Sequence, residues 1–175
     1  MRRWLMSLAL LGCAAPALAD VTVEMHRLDA QGIGESIGTV TFEESRYGLL
    51  IQPALHDLPA GTLHGFHLHQ NPDCGPATHN GKTTPGGAAG GHFDPGGTDT
   101  HAGPYVEQSH LGDMPVLMIG PQGKATTPML APRLKESDLM GHAVIVHEGG
   151  DTYDEPPKLG GGGARLACGV INGSA

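Results

Sequence analysis

The chain has 175 residues, with 28 Gly and 14 Pro but only 3 Phe, 3 Tyr and 1 Trp. Gly and Pro at this density interrupt every helix-length window, which excludes a long-helix architecture and favours short strands joined by turns within one domain. A formal net charge of -8 argues against a nucleic-acid partner, because binding phosphates needs a basic face, while 11 His against 10 Lys plus Arg point to metal.

In chain order, Arg2 and Arg3, the apolar run from Trp4 to Ala15 and the small-residue end Ala17-Leu18-Ala19 read as a secretory signal peptide over residues 1–19. That leaves residues 20–175 as a single domain beginning at Asp20 and exported to a periplasmic or secreted location. The apolar run is too short to span a bilayer as a mature helix. A competing reading is that Leu10-Leu11-Gly12-Cys13 is a lipobox, which would acylate Cys13 and supply the sole expected membrane contact. Alternating or β-rich segments then predict eight strands: Val21 to Leu28, Gly34 to Glu43, Tyr47 to Gln52, Thr62 to His69, Pro115 to Ile119, Lys124 to Leu130, His142 to His147, and Ala164 to Ile171. Pro121-Gln122-Gly123 reads as a tight hairpin turn, and only Leu134 to Leu139 has a helical period. Eight short strands without βαβ alternation imply an all-β antiparallel sandwich or barrel. Two connections, Gln70 to Met114 and Gly149 to Gly163, are too long for structure alone and are expected to carry the function.

Export would place Cys74 and Cys168 in an oxidising compartment, where an isolated pair forms a disulfide or persists as two buried thiols. The turn-rich stretch Asn71 to Pro76 around Cys74 needs an anchor, which favours the disulfide. In His64-Gly65-Phe66-His67-Leu68-His69, residues two apart on a strand share a face, so His67 and His69 can close on one metal while Phe66 and Leu68 turn to the core. Alone, the pattern fits two solvated surface histidines equally well. Support comes from His79, His92, His101, His110 and Asp113 in the long connection, and from His147 at the exit of the apolar run Ala143 to Val146.

With these residues in place, the chain resembles the copper/zinc superoxide dismutases, particularly the bacterial periplasmic branch. The matching strings are HGFHLH (64–69), GGHFDP (90–95), THAGP (100–104), SHLGD (109–113), VIVHEGGD (144–151) and GGGGARLACGVI (160–171). The resemblance implies an eight-stranded Greek-key barrel with two long functional loops. It also implies copper on His67, His69, His92 and His147, and zinc on His92, His101, His110 and Asp113. His92 would bridge the metals, leave reduced copper, take a proton and return it. By the same resemblance Arg165 guides the substrate superoxide, Asp151 holds the outer nitrogens of His67 and His101, and a homodimer is possible. Physical chemistry agrees with the division: imidazoles suit redox-cycling copper, and three imidazoles with one carboxylate suit a closed zinc site.

The remaining features get plainer readings. His64 resembles a position that ties loops together, and His26, His56, His79 and His142 read as surface or loop residues. Gly160 to Gly163 let the chain pass close to the site, and Met114, Met118, Met129 and Met140 default to core packing. Because the chain is acidic and its substrate anionic, steering would fall to local cations: Arg165 first, then Lys135, Lys158 and Arg133. A non-catalytic metal-storage protein on the same fold is the alternative function, and Arg165 argues against it.

Overall fold

The structure, a computed structural model, describes residues 20–172. The expected leader at residues 1–19, including Cys13, lies outside the described residues. Among those described, the strands are β1 (Val21–Asp29), β2 (Gly32–Ser45), β3 (Gly48–Leu55), β4 (Leu63–His64), β5 (Phe66–His69), β6 (Ala77–His79), β7 (Lys82–Thr84), β8 (Leu117–Met118), β9 (Met129–Ala131), β10 (His142–His147) and β11 (Arg165–Ile171). Seven of them form one curled antiparallel sheet in the order β5-β10-β11-β1-β2-β3-β9. The chain runs through β1, β2 and β3 as neighbours, crosses to β5 at the far edge, and later returns to β9 beside β3, which is a Greek-key path.

Period-two patterning builds the sheet. Val23 and Met25 of β1 and Leu49, Ile51 and Leu55 of β3 point inward, and they meet Phe42, Phe66, Leu68, Met114, Val144 and Val146 in one apolar core. The β1–β2 turn is closed by Asp29, whose Oδ1 accepts from the backbone N–H of Gln31 (2.8 Å) and Gly32 (3.0 Å). A second, smaller cluster of Cys74, Ala89, Ala143, Ile145 and Cys168 lies against the other face of β10 and β11. Its centre is the Cys74–Cys168 disulfide, which joins positions 94 apart in sequence with Cα atoms 5.8 Å apart.

Several local expectations need correction. The expected strand Thr62 to His69 is broken at Gly65, so β4 pairs with β8 while β5 pairs with β10. Around Pro121-Gln122-Gly123 the turn is tight, with Gly120 N–H donating to Lys124 (2.8 Å) and Gly123 N–H to Gly120 (3.0 Å). It is not a hairpin, because the flanking segments diverge, β8 to β4 and β9 to β3. The segment near Leu134 to Leu139 forms only a short 3-10 turn at Glu136–Asp138. The connection after Gln70 carries a hairpin of its own, β6–β7, whose loop residues Asn80 (φ 51°) and Gly81 (φ 76°) are both left-handed. Asn-Gly is the sequence signal for that turn, and it was there to be read. Met114 is buried, whereas Met118 and Met140 are 49% and 42% exposed, so core packing does not describe those two.

Candidate metal centre

The site grows from β5 and β10. Phe66 and Leu68 enter the core, so pleating turns His67 and His69 to the opposite face, where β10 pairs Ala143 with His69 and Ile145 with His67. At the exit of β10 the register shifts between Val146 and His147, which sets His147 opposite Arg165 of β11. The long connection delivers His92 through a bridge to His69. One nitrogen from each of His67, His69, His92 and His147 falls within a mutual 4.8 Å, and all four residues are buried.

Four of the imidazoles are oriented by the nitrogen that faces away from the cluster. His69 Nδ1–H donates to the Gly90 carbonyl (3.0 Å) and His147 Nδ1–H to Gly163 (3.4 Å). His67 Nε2–H donates to Asp151 Oδ2 (2.7 Å), and His101 Nε2–H donates to Asp151 Oδ1 (2.8 Å). Asp151 therefore grips one histidine of the strand face and one of the connection. Gly160 packs directly over this carboxylate, and a Cβ there would overlap both Asp151 Oδ1 and His101 Nε2.

A second group gathers around Asp113, whose Oδ1 lies 2.9 Å from His92 Nδ1 and 3.6 Å from His110 Nδ1, and whose Oδ2 lies 3.1 Å from His101 Nδ1. The tightest four here are His67, His92, His101 and Asp113. His67 is among them because its ring stacks on His92, with centroids 3.9 Å apart, yet its Nε2 is held by Asp151. His110 stands just outside that four, its Nδ1 buried and without a partner among the described residues. His67 Nδ1, His92 Nε2 and His101 Nδ1 are buried and unpartnered in the same way. A buried polar atom without a partner costs about 1–3 kcal/mol. Four such acceptors converging in one cluster fit bound cations, and the imidazole-rich donor set suits copper and zinc.

Burial keeps the lone pairs of His69, His92 and His147 available. Burial lowers His92 to about 4 and His147 to about 3, aided in each by the neighbouring His67, and it lowers His69 well below the ordinary imidazole value. Burial acts the same way on His101, but the carboxylates of Asp113 and Asp151, at 3.1 and 2.8 Å, overcome it and raise that group to about 10. Burial pushes both carboxyls up, yet hydrogen bonds from the surrounding histidines hold Asp113 and Asp151 well below the carboxylate range.

Arg165 opens β11, and its guanidinium donates to the Gly86 and Gly90 carbonyls, so one carbonyl anchors both Arg165 and His69. Burial lowers its pKa. A cleft at the edge of the cluster is lined by His92, His110 and Lys158 with three carboxylates, Asp94, Asp99 and Glu155. Of the other expected steering cations, Arg133 instead donates to the Ser109 (2.7 Å) and His110 (3.2 Å) carbonyls, and Lys135 lines a separate groove with Glu44 and Met140. His64 Nδ1–H donates to the His147 carbonyl (2.7 Å), tying two ligand-bearing segments. His56 and His79 are exposed, whereas the ring of His142 packs on Phe93 and its Nδ1–H donates to the Gln70 carbonyl (2.8 Å). The sequence reading missed Ser109 and Tyr153. Ser109 donates to Asp113 Oδ2 (2.6 Å) and Tyr153 N–H to Asp151 Oδ1 (2.8 Å). A lone Ser or Tyr in a loop has no periodicity that would single it out.

The family described as copper/zinc superoxide dismutase matches residues 36–171. Superoxide dismutase [Cu-Zn] 1 of Salmonella typhimurium (strain 4/74) is 51% identical over 165 residues, covering 93% of this chain and 93% of that protein. Among solved structures, the Cu/Zn superoxide dismutase from Brucella abortus superposes with a TM-score of 0.84 at 42% identity, over 88% of this chain and all of that one. The solution structure of the monomeric copper, zinc superoxide dismutase from Salmonella enterica gives 0.78 at 49% identity, again over 88% of this chain and all of the other. With that sequence match and this paired histidine cluster, the chain belongs to the copper/zinc superoxide dismutase family.

Proposed function

We propose that the cluster divides into a copper site of His67, His69, His92 and His147 and a zinc site of His92, His101, His110 and Asp113, with His92 shared. The activity is dismutation of superoxide to oxygen and hydrogen peroxide, two superoxides and two protons giving one of each product. Bound copper supplies a one-electron couple, and bound zinc supplies a redox-silent positive charge. The observation that supports the division is two sets of converging atoms: His69 Nε2 lies 3.3 Å from His147 Nε2, in a group with His67 and His92, whereas His92 Nδ1, His101 Nδ1 and His110 Nδ1 lie 2.9, 3.1 and 3.6 Å from the Asp113 carboxylate.

His92 is the proton-handling group in this reading. With the metals bound, its Nε2 would be the atom on the copper side that holds and returns a proton for peroxide formation, and its Nδ1 would face zinc. Asp151 keeps the rings of His67 and His101 from rotating beside it. Arg165, locked to Gly86 and Gly90, keeps further N–H donors of its planar fork for a small anion, whereas Lys158 shares its cleft with Asp94, Asp99 and Glu155. The burial of His69 and His147 excludes bulk water from the copper ligands.

Residues 1–19 act in this reading as a cleaved leader, leaving 20–175 in the periplasm or secreted, which the disulfide and the bacterial relatives support. Oligomeric state is the finer point: Leu63 and Met118, opposite each other on β4 and β8 and 54% and 49% exposed, offer a face for a homodimer. Light scattering of the mature protein decides it, a monomer mass removing the proposal. The metal assignment is tested by loading metal-free protein with one equivalent each of copper and zinc and collecting anomalous diffraction at both edges. Copper is expected among His67, His69, His92 and His147, and zinc among His92, His101, His110 and Asp113. Exchanged or mixed positions contradict the division.

A further inference from the structure

Ser109 holds one oxygen of the Asp113 carboxylate from within the connection. Its side chain is buried, with the residue 1% exposed, inside the connection that carries His101, His110 and Asp113. The Ala102 backbone N–H donates to Ser109 Oγ (2.7 Å), so the hydroxyl proton is directed elsewhere. Its partner is Asp113 Oδ2 at 2.6 Å, since the other acceptor in reach, the Thr100 carbonyl, is 3.4 Å away. So held, Oδ2 lies 3.1 Å from His101 Nδ1, and Oδ1 lies 2.9 Å from His92 Nδ1 and 3.6 Å from His110 Nδ1. The same hydroxyl ties the backbone next to His101 to the side chain of Asp113, while Arg133 holds the carbonyls of Ser109 and His110 from the opposite side.

We infer that Ser109 is a positioning residue for zinc: its hydroxyl fixes the orientation of the Asp113 carboxylate and sets the register of His101 against it. The inference rests on the zinc assignment proposed above. It applies to this chain the general rule that partners of a metal's ligands change affinity by about 10–100-fold.

The test uses the mature, disulfide-intact protein, stripped of metal, in Ser109→Ala, Ser109→Thr and Ser109→Val forms beside Asp113→Ala. Zinc affinity is read by chelator competition, the ligand field by the visible spectrum of cobalt(II) placed in the zinc site, and folding by melting of the metal-free forms. Ser109→Ala is expected to lose about 10–100-fold in zinc affinity and to shift the cobalt bands, and Ser109→Thr to regain both. If Ser109→Ala fails to fold, the Thr and Val forms, alike in shape and differing in the hydroxyl, carry the same comparison. Wild-type affinity and an unshifted cobalt spectrum in a folded variant lacking the hydroxyl would overturn the inference, provided Asp113→Ala loses zinc. Should Asp113→Ala keep wild-type zinc affinity, the zinc assignment itself falls, and the role of Ser109 with it.

Discussion

His67, His69 and His147 stand on β5 and β10, strands that pair with each other from Ala143–His69 to Val146–Phe66 and send Phe66, Leu68, Val144 and Val146 into the core. His101, His110 and Asp113 stand on a connection whose backbone is sewn to the barrel mainly at Leu68, which donates to Gly112 (2.9 Å) and accepts from Phe93 (2.8 Å). Between those stitches the connection is held by local turns, by Ser109 and Arg133, and by the disulfide at its start. Ligands on the strand face are therefore positioned by the fold itself, whereas those on the connection are positioned by side chains that the metal also needs. The difference teaches that removing zinc and removing copper should have unequal structural consequences.

The largest effect expected is on chemistry, with little on structure. His67→Ala or His147→Ala removes a strand-face ligand and should drop superoxide dismutation to the uncatalysed background, while circular dichroism stays native because the β5–β10 backbone pairing persists. Next comes the disulfide, whose loop closure contributes about 4–5 kcal/mol in the chain-entropy model. Reduction, checked by intact mass after alkylation, should lower the denaturation midpoint and loosen the Asn71 to Pro76 turn. Two freely alkylated cysteines in the oxidised protein would contradict the bridge. Zinc is third, because a ligand present at a thousand times its Kd stabilises by about 4 kcal/mol. Asp113→Ala should melt like the zinc-free wild type, and a full zinc equivalent with unchanged melting would count against it.

The motifs made the strand face legible, since H-x-H on a strand puts both rings on one face and the further histidines and matching strings decided which face that was. The long connection was legible in its ligands but not in its scaffold. His92, His101, His110 and Asp113 were named from matching strings, yet nothing in the sequence indicated that the Gly90 carbonyl would orient His69 and receive Arg165. Backbone acceptors leave no trace in residue type. The β6–β7 hairpin was marked by Asn80-Gly81, but its strands are three residues each and too short for a periodic signal. The break at Gly65 was equally silent, because Leu63 to His69 alternates well enough to read as one strand.

Smaller effects sharpen the comparison at its border. Arg165→Ala should leave both metals bound and slow kcat/KM about 10–100-fold at low salt, and rising ionic strength should slow the wild type more than the variant. Equal rates at matched copper occupancy would remove its guiding role. A separate effect is the pH dependence of the metal-free, oxidised protein. His92 and His147, near 4 and 3 when folded, bind fewer protons than the unfolded chain below about 6.5, so their contribution is full above that pH and lost as pH falls. His101, near 10 when folded, contributes fully below about 6.5 and loses its contribution as pH rises to 10. Denaturant unfolding should therefore show greatest stability near pH 6.5, and a flat profile from pH 4 to 9 would contradict these assignments.

Hydrogen exchange, amide by amide, on the oxidised protein without metal and with zinc alone tests the central claim most directly. Amides of β5 and β10 should be protected equally in both states, whereas those of residues 94–111 should exchange fast without metal and become protected on adding zinc. Equal protection of residues 94–111 in the two states, or loss of protection in β5 and β10 without zinc, would contradict the account.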